Sequence, residues 1–444
     1  MVSAPPPPLR WRAIGGGIAG SPTALWAAFI LTHLWLGFLN LTAQGLPLGD
    51  VTIEYQKWAQ QADYATYYVG IDSSWVYPIV ALIPIVAAGT FGFANYAGAW
   101  LSLVFILDLV AFGAMVGWRR GAGRGGAVGW WWIAFLLLLG PISMGRIDSI
   151  TIPVAIVAVL FLASRPRVAG VLLALATWIK VWPAALIGAI LIASKARARV
   201  LGMSIVTSVA VIAVALVLGS GANVFSFITQ QTGRALQVEA PISSVWMWLA
   251  FARVPGAFVY YDAGINTFQV AGPGSDVAAA IMTPVLGIAM VVIAALGIRA
   301  TRRGAPVTEL LAPLALAFVT ALIAFNKVGS PQYITWFAVP VILGLATNAT
   351  GHGRSFRVPA IGALLIAALT QYIYPYLYEN LLGLQPTMLI ALSVRNALVV
   401  GLLIWSIGLV WGLSKPFVEY EQLDAAEHWL PTVWPFGGRA TTVD

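Results

Sequence analysis

The chain has 444 residues, 60% hydrophobic and only 9% charged, against roughly 25% charged in a soluble domain. That excludes a soluble globular protein and points to a polytopic membrane protein, in which length does not count domains. Cysteine is absent and His33, His352 and His428 lie far apart, which excludes thiolate sites and argues against a His-rich metal site; the formal charge of +8 sits in short loops between apolar runs, so no nucleic-acid partner is expected.

Spans are placed by apolar runs and oriented by the positive-inside rule. Arg10 and Arg12 put residues 1–21 in the cytoplasm, and Pro5 to Pro8 fit no cleavable signal pattern. The first span is 22–42; His33 inside it reads as a packed, hydrogen-bonded side chain. An outer loop, 43–94, follows. Within it residues 75–89, broken by Pro78 and Pro84, are too short to cross and read as an interfacial helix. Spans at 95–117, 127–143 and 151–164 come next. Asp108 in the first of these reads as a contact between helices, with a proton relay as the alternative. Residues 168–178 and the stretch opened by Pro183 are short, which suggests a hairpin that stops short of a full crossing. A span at 200–219 leads to a second outer segment, 220–276, and then to spans at 277–298, 308–325, 334–347, 358–375 and 388–413. Residues 415–444 form a cytoplasmic tail. The expectation is an all-α protein of about twelve transmembrane helices with long extracytoplasmic loops, both termini inside, and a membrane domain over 22–414.

Seven basic residues fall outside the cytoplasmic segments: Lys57, Arg146, Lys180, Arg234, Arg253, Lys327 and Arg395. Each sits on or near an outer turn, where charge is costly and usually has a purpose. Lys180, in ATWIKVWPAAL, is either a snorkelling lysine or an ammonium that grips a lipid phosphate. Arg146 and Asp148 in GRIDS pair with each other or line a cavity. Arg234, Gln237 and Glu239 form a polar group beside an apolar run, and Lys327, Ser330 and Gln332 share one tight turn. The first outer loop supplies Asp50, Glu54, Asp63 and Asp72, interleaved with Tyr55, Trp58, Tyr64, Tyr67, Tyr68, Trp75 and Tyr77. A solvated loop with an interfacial aromatic belt is the plain reading. Carboxylates on one loop facing cations on others also suit a reaction in which a carboxylate removes a hydroxyl proton while cations take up charge on a departing phosphate. Aromatic rings suit sugar faces.

Five short motifs then occur in one order on one side: Gly49-Asp50 with Tyr55, Trp75-Val76-Tyr77-Pro78, Lys180 with Pro183, Arg234 to Glu239, and Asn326 to Tyr333. On these the chain resembles the GT-C glycosyltransferases, and among them glycosyltransferase family 87, the bacterial polyprenol-phosphate-mannose-dependent enzymes, over about residues 20–415. The resemblance implies inverting transfer of mannose from polyprenyl-phosphate mannose to a mannosylated glycolipid or lipoglycan, on the outer face of a bacterial cytoplasmic membrane. It implies Asp50 as the base. Lys180, with Arg234, Lys327 or Arg395, would hold the lipid phosphate. Tyr55, Arg146, Asp148, Gln237, Glu239 and Gln332 are the remaining substrate-binding candidates. No metal or other cofactor is implied. The run Asp50-Val51-Thr52-Ile53-Glu54-Tyr55 departs from the family's hydrophobic-x-Val-Tyr continuation, so Glu54, one helical turn on, is the alternative base. Arabinofuranose transfer is the alternative chemistry. A lipid transporter is the rival outside enzymes; it predicts interrupted helices and charges at the midplane, where Asp108 is the main candidate.

Overall fold

The computed structural model describes residues 21–118, 123–230 and 234–415. The expected cytoplasmic N-terminus and tail lie outside the described residues apart from Ser21 and Lys415, as do Arg119 and Arg120. Helix α1 runs Pro22–Thr42, started by Pro22 at its first position and by Ser21, whose hydroxyl accepts from the Ala24 N–H. After the first loop come α2 (Gln56–Tyr64), α3 (Leu82–Ala87) and α4 (Tyr96–Val116). They are followed by α5 (Gly123–Leu139), α6 (Asp148–Phe161), α7 (Pro166–Ile179), α8 (Ala184–Ala193) and α9 (Arg197–Val217). The second loop holds α10 (Ser226–Thr229) and α11 (Ser244–Phe251). The C-terminal part is α12 (Ser275–Arg302), α13 (Val307–Ala324), α14 (Ala338–Ala349), α15 (Arg357–Ile373), α16 (Tyr378–Leu382) and α17 (Pro386–Leu413).

Seven of these, α1, α4, α5, α9, α12, α13 and α17, are long and apolar enough to cross a membrane. The other five expected spans fold as α6, α7, α8, α14 and α15. The shortest, α8, has 10 residues, which at about 1.5 Å each reach roughly half of a ~30 Å hydrocarbon layer. Residues 75–89 form only a single 3-10 turn and the short α3. Helix α13 is the central post, buried almost continuously from Leu310 to Ala324. Helices α9 and α12 bury few of their apolar residues, as lipid-facing helices do. Between α1 and α4, His33 Nε2 meets Asp108 Oδ2 at 3.0 Å and His33 Nδ1 lies 2.9 Å from the Phe29 carbonyl. His33 is thus packed and hydrogen-bonded, and Asp108 makes a contact between helices, as each was expected to.

The fold is not purely helical. Strands β1 (Leu236–Gln237), β2 (Phe258–Asp262) and β3 (Thr267–Ala271) make an antiparallel sheet in the order β1-β3-β2. The runs FVYYD and TFQVA are rich in aromatic and β-branched residues around the turn AGIN, the composition of a hairpin.

The loops gather at one end of the bundle. The Trp75 N–H donates to Ser226 Oγ (2.8 Å) and Asn223 Nδ2 to the Ile71 carbonyl (2.8 Å), joining the two long loops. The Gln237 N–H donates to the Lys327 carbonyl (3.0 Å) and the Gly329 N–H to Gln237 Oε1 (3.1 Å). A Cβ at Gly329 would collide with the backbone of Glu239 and Ala240, so only glycine permits this approach.

Candidate active site

Asp50 opens a single π-helical turn, Asp50–Tyr55. Val51 and Tyr55 of this turn are buried and anchor it, while the Asp50 side chain stays 41% exposed. Arg146 Nε reaches Asp50 Oδ2 at 3.0 Å. The rest of the guanidinium donates to the carbonyls of Pro47 (2.6 Å) and Gly145 (2.7 Å) and to the Tyr374 hydroxyl (2.8 Å). Burial opposes the Arg146 charge, yet Asp50, and behind it Tyr374 and Tyr55, hold its pKa above the usual arginine range.

A second cluster stands beside the first. Asp148, at the start of α6, is fully buried; its Oδ1 accepts from Trp336 Nε1 at 2.7 Å. Its Oδ2 lies 3.7 Å from Lys180 Nζ and has no hydrogen-bond partner. Lys180 caps α7 just before Pro183, so helix geometry ends there and the side chain turns inward. The ammonium sits 4.6 Å from the centre of the Tyr77 ring and 5.7 Å from that of Tyr333, both cation–π distances. Burial works against this charge, but Asp148, then Tyr77, Tyr333 and Asp50, raise the Lys180 pKa above the ordinary lysine value. Tyr55 links the clusters. Its hydroxyl accepts from the Ile147 N–H (3.2 Å) and lies 3.3 Å from the Tyr77 hydroxyl. Burial pushes both phenols up, so both stay protonated in the neutral range.

A cavity of about 470 Å³ opens beside Lys180. One end is polar and aromatic, with Lys180, Lys327, Asn326, Tyr77 and Tyr333. The far end is apolar, between Gly188 of α8, Leu286 and Met290 of α12, and Leu322 of α13. Helix α8 packs against α9, α12 and α13. Lys327 is nearly buried, and burial, then the charge of Arg234, lower its pKa.

A family model described as glycosyltransferase family 87 matches residues 75–325, more than half of the chain. The chain belongs to glycosyltransferase family 87. No curated protein and no solved structure matches it. It is thus a multi-pass membrane glycosyltransferase, which takes a sugar donor and an acceptor in the membrane. The matched stretch contains Arg146, Asp148 and Lys180; Asp50 and Lys327 flank it.

The glycosyltransferase brings only part of its expected site together. Asp50, Arg146, Asp148 and Lys180 converge, and Lys327 lines the same cavity as Lys180. Glu54 does not join them: its carboxylate accepts from Asn266 Nδ2 of the β2–β3 turn at 2.9 Å, away from Arg146. The shared face expected for Asp50 and Glu54 assumed an α-helix, and the turn is of the wider i→i+5 type. Tyr55 is 1% exposed and packs on Trp58 and Trp100, so it supports the site from below and presents no face to a substrate. Arg395 is corrected as a phosphate cation. It is buried, donates to the Glu239 carbonyl and to Asn396 Oδ1 (2.8 Å), and pairs with Glu239 Oε1 at 3.4 Å. Burial pushes the Glu239 carboxyl up to about 7, with Arg395 pulling it down. Gln237 is spent on Gly329, and Gln332 is buried in the 3-10 segment Pro331–Phe337. Arg234 is half-buried, with Nε lacking a hydrogen-bond partner. Sequence reasoning missed Tyr374, Trp336 and Asn266 as neighbours of the acids. Trp336 alone carried a signal, three residues beyond the Asn326–Tyr333 motif.

Proposed function

We propose that this protein transfers mannose, with inversion, from polyprenyl-phosphate mannose to a hydroxyl of a mannosylated glycolipid or lipoglycan. The reaction takes place on the outer face of the bacterial cytoplasmic membrane. The observation that carries the reading is the cavity: ammonium groups at one end, apolar helix faces at the other, and Asp50 close by. A lipid phosphate fits such a gradient, with its head at Lys180 and Lys327 and its chain along α8, α12 and α13. Asp50 takes the proton of the acceptor hydroxyl. The acceptor oxygen forms the bond to the anomeric carbon, and the carbon–oxygen bond to phosphate breaks with its electron pair on the phosphate. Lys180 and Lys327, with Arg234 near Lys327, stabilise the dianion that results. Aromatic side chains, Trp182 stacked on Trp336 and Tyr333 on Trp336, wall the head end.

The test uses purified protein in liposomes with synthetic polyprenyl-phosphate mannose and a phosphatidylinositol mannoside acceptor. The expected result is a mannosylated product made by the wild type and by Glu54→Ala, and lost in Asp50→Ala. Product only with the polyprenyl-phosphate arabinose donor changes the sugar and keeps the mechanism. Lipid movement across the bilayer without transfer from either donor overturns the reading.

A further inference from the structure

Three consecutive residues at the α5–α6 turn touch Asp50, Tyr55 and Lys180. Arg146 holds the first loop at two points, the Pro47 carbonyl (2.6 Å) and the Asp50 carboxylate (3.0 Å). The Ile147 N–H holds the Tyr55 hydroxyl, which meets that of Tyr77. Asp148 holds Lys180 from behind and is itself fixed by Trp336. The turn is rigid. Ser149 Oγ closes it onto the Arg146 carbonyl (2.5 Å), and Trp100 Nε1 ties the Met144 carbonyl (3.0 Å). It also lies tight against the first loop: a Cβ at Gly145 would come within 2.7 Å of the Pro47 carbonyl oxygen and 2.9 Å of Asn40 Oδ1.

We infer that the Arg146-Ile147-Asp148 turn is the alignment device of the enzyme, fixing the distance between the carboxylate that activates the acceptor and the ammonium that receives the lipid phosphate. Arg146 and Asp148 are positioning residues; neither needs to touch substrate. This rests on the proposed transfer reaction. Their effects separate because they hold different partners. Arg146 serves the acceptor half through Asp50, and a displacement of about 1 Å there costs on the order of 100-fold in turnover. Asp148 serves the phosphate half. The groups facing the Lys180 ammonium are Asp148 from α6, Tyr77 and Asp50 from the first loop and Tyr333 from the 3-10 segment. Of these Asp148 is the largest support for its charge against burial. Without that carboxylate the ammonium loses its proton at lower pH.

The experiment measures two quantities for wild type, Arg146→Gln and Asp148→Asn: steady-state transfer, and equilibrium binding of polyprenyl monophosphate between pH 7 and 10. Arg146→Gln is expected to lower kcat about 100-fold while binding polyprenyl phosphate as the wild type does. Asp148→Asn is expected to bring the alkaline loss of binding to lower pH than in the wild type. The titration of Lys327 is common to all three proteins and cancels in the comparison. Arg146→Lys and Asp148→Glu keep the charges, and each is expected to restore most of its own parameter. They also carry the test if a neutral variant does not accumulate. If wild type transfers sugar but both variants lose kcat and binding in equal proportion, with the alkaline limb unmoved, the turn only holds the fold and the inference is wrong. Absence of transfer by the wild type, with binding behaving as described, counts against the proposed reaction and not against the alignment of Lys180 by Asp148.

Discussion

Among the described residues two arginine–carboxylate pairs stand at the loop end of the molecule, and they are opposites. Arg395–Glu239 is sealed: the side chains are 4% and 1% exposed, and the arginine also binds the Glu239 carbonyl and Asn396. Arg146–Asp50 is half open: the arginine is 8% exposed and also donates to two carbonyls and a phenol, but the carboxylate is 41% exposed. A base needs an oxygen that a substrate can reach, and a structural charge needs its partners and no more. The same two residue types therefore serve opposite ends, and the difference lies in which member of the pair is left accessible.

Breaking each pair is the strongest way to test the contrast. Asp50→Asn is expected to lower kcat by roughly 10²–10⁴-fold, the range for loss of a general base. Its thermal midpoint is expected to fall little, because Arg146 keeps its bonds to Pro47, Gly145 and Tyr374 and the site is open to water. Glu239→Ala is expected to do the reverse. It strands the Arg395 charge in the interior, at a cost of about 3–5 kcal/mol, while kcat per folded molecule stays near that of the wild type. Thermal unfolding in detergent and initial rates, measured together, check both. A Glu239→Ala protein as stable as wild type, or an active Asp50→Asn, would merge the two pairs into one class.

The sequence made the side of each charge legible but not its depth or its partner. Arg395 lies in the outer half of a span, and that placement alone made it a phosphate candidate. Its partner Glu239 is 156 residues away in the chain, and nothing local marks the pairing. Lys180 stands out because it interrupts apolar sequence at a helix end, where charge is expensive, whereas Asp50 stands out only by its place in the first outer loop and the family resemblance. The twelve apolar runs all fold as helices, since hydropathy and proline placement report local structure directly. The β2–β3 hairpin is hard to read because it lies inside a long polar segment, although its strands are rich in aromatic and β-branched residues. It is this hairpin that captures Glu54.

A weaker contrast separates the cavity's two lysines. Asp148 supports the charge of Lys180, whereas burial and then Arg234 depress that of Lys327. A lowered lysine pKa means that the ammonium is complete at lower pH and is lost early as pH rises. Binding of polyprenyl phosphate by the wild type is therefore expected to weaken at a pH below the ordinary lysine range. Lys327→Arg is expected to move that limb to higher pH, because guanidinium stays charged beyond about pH 12. Binding isotherms from pH 7 to 10 decide it. A limb unchanged in Lys327→Arg assigns the titration to another group.

The smallest expected effect is at Glu54. Glu54 is four residues from Asp50 in the same π-helical turn, carries the same group, and differs only in its neighbour. Asp50 faces an arginine within reach of Lys180; Glu54 faces an amide of the hairpin turn. If position in the chain determined the base, the two would be interchangeable. If surroundings determine it, Glu54→Gln keeps a hydrogen bond to Asn266 and changes activity by no more than about threefold, as surface substitutions do. Glu54→Ala and Asn266→Ala should then share whatever small effect there is, since each removes one side of the same contact. A loss of 100-fold or more in Glu54→Gln with Asn266→Ala unaffected would place the base on Glu54 and make Arg146–Asp50 a second structural pair.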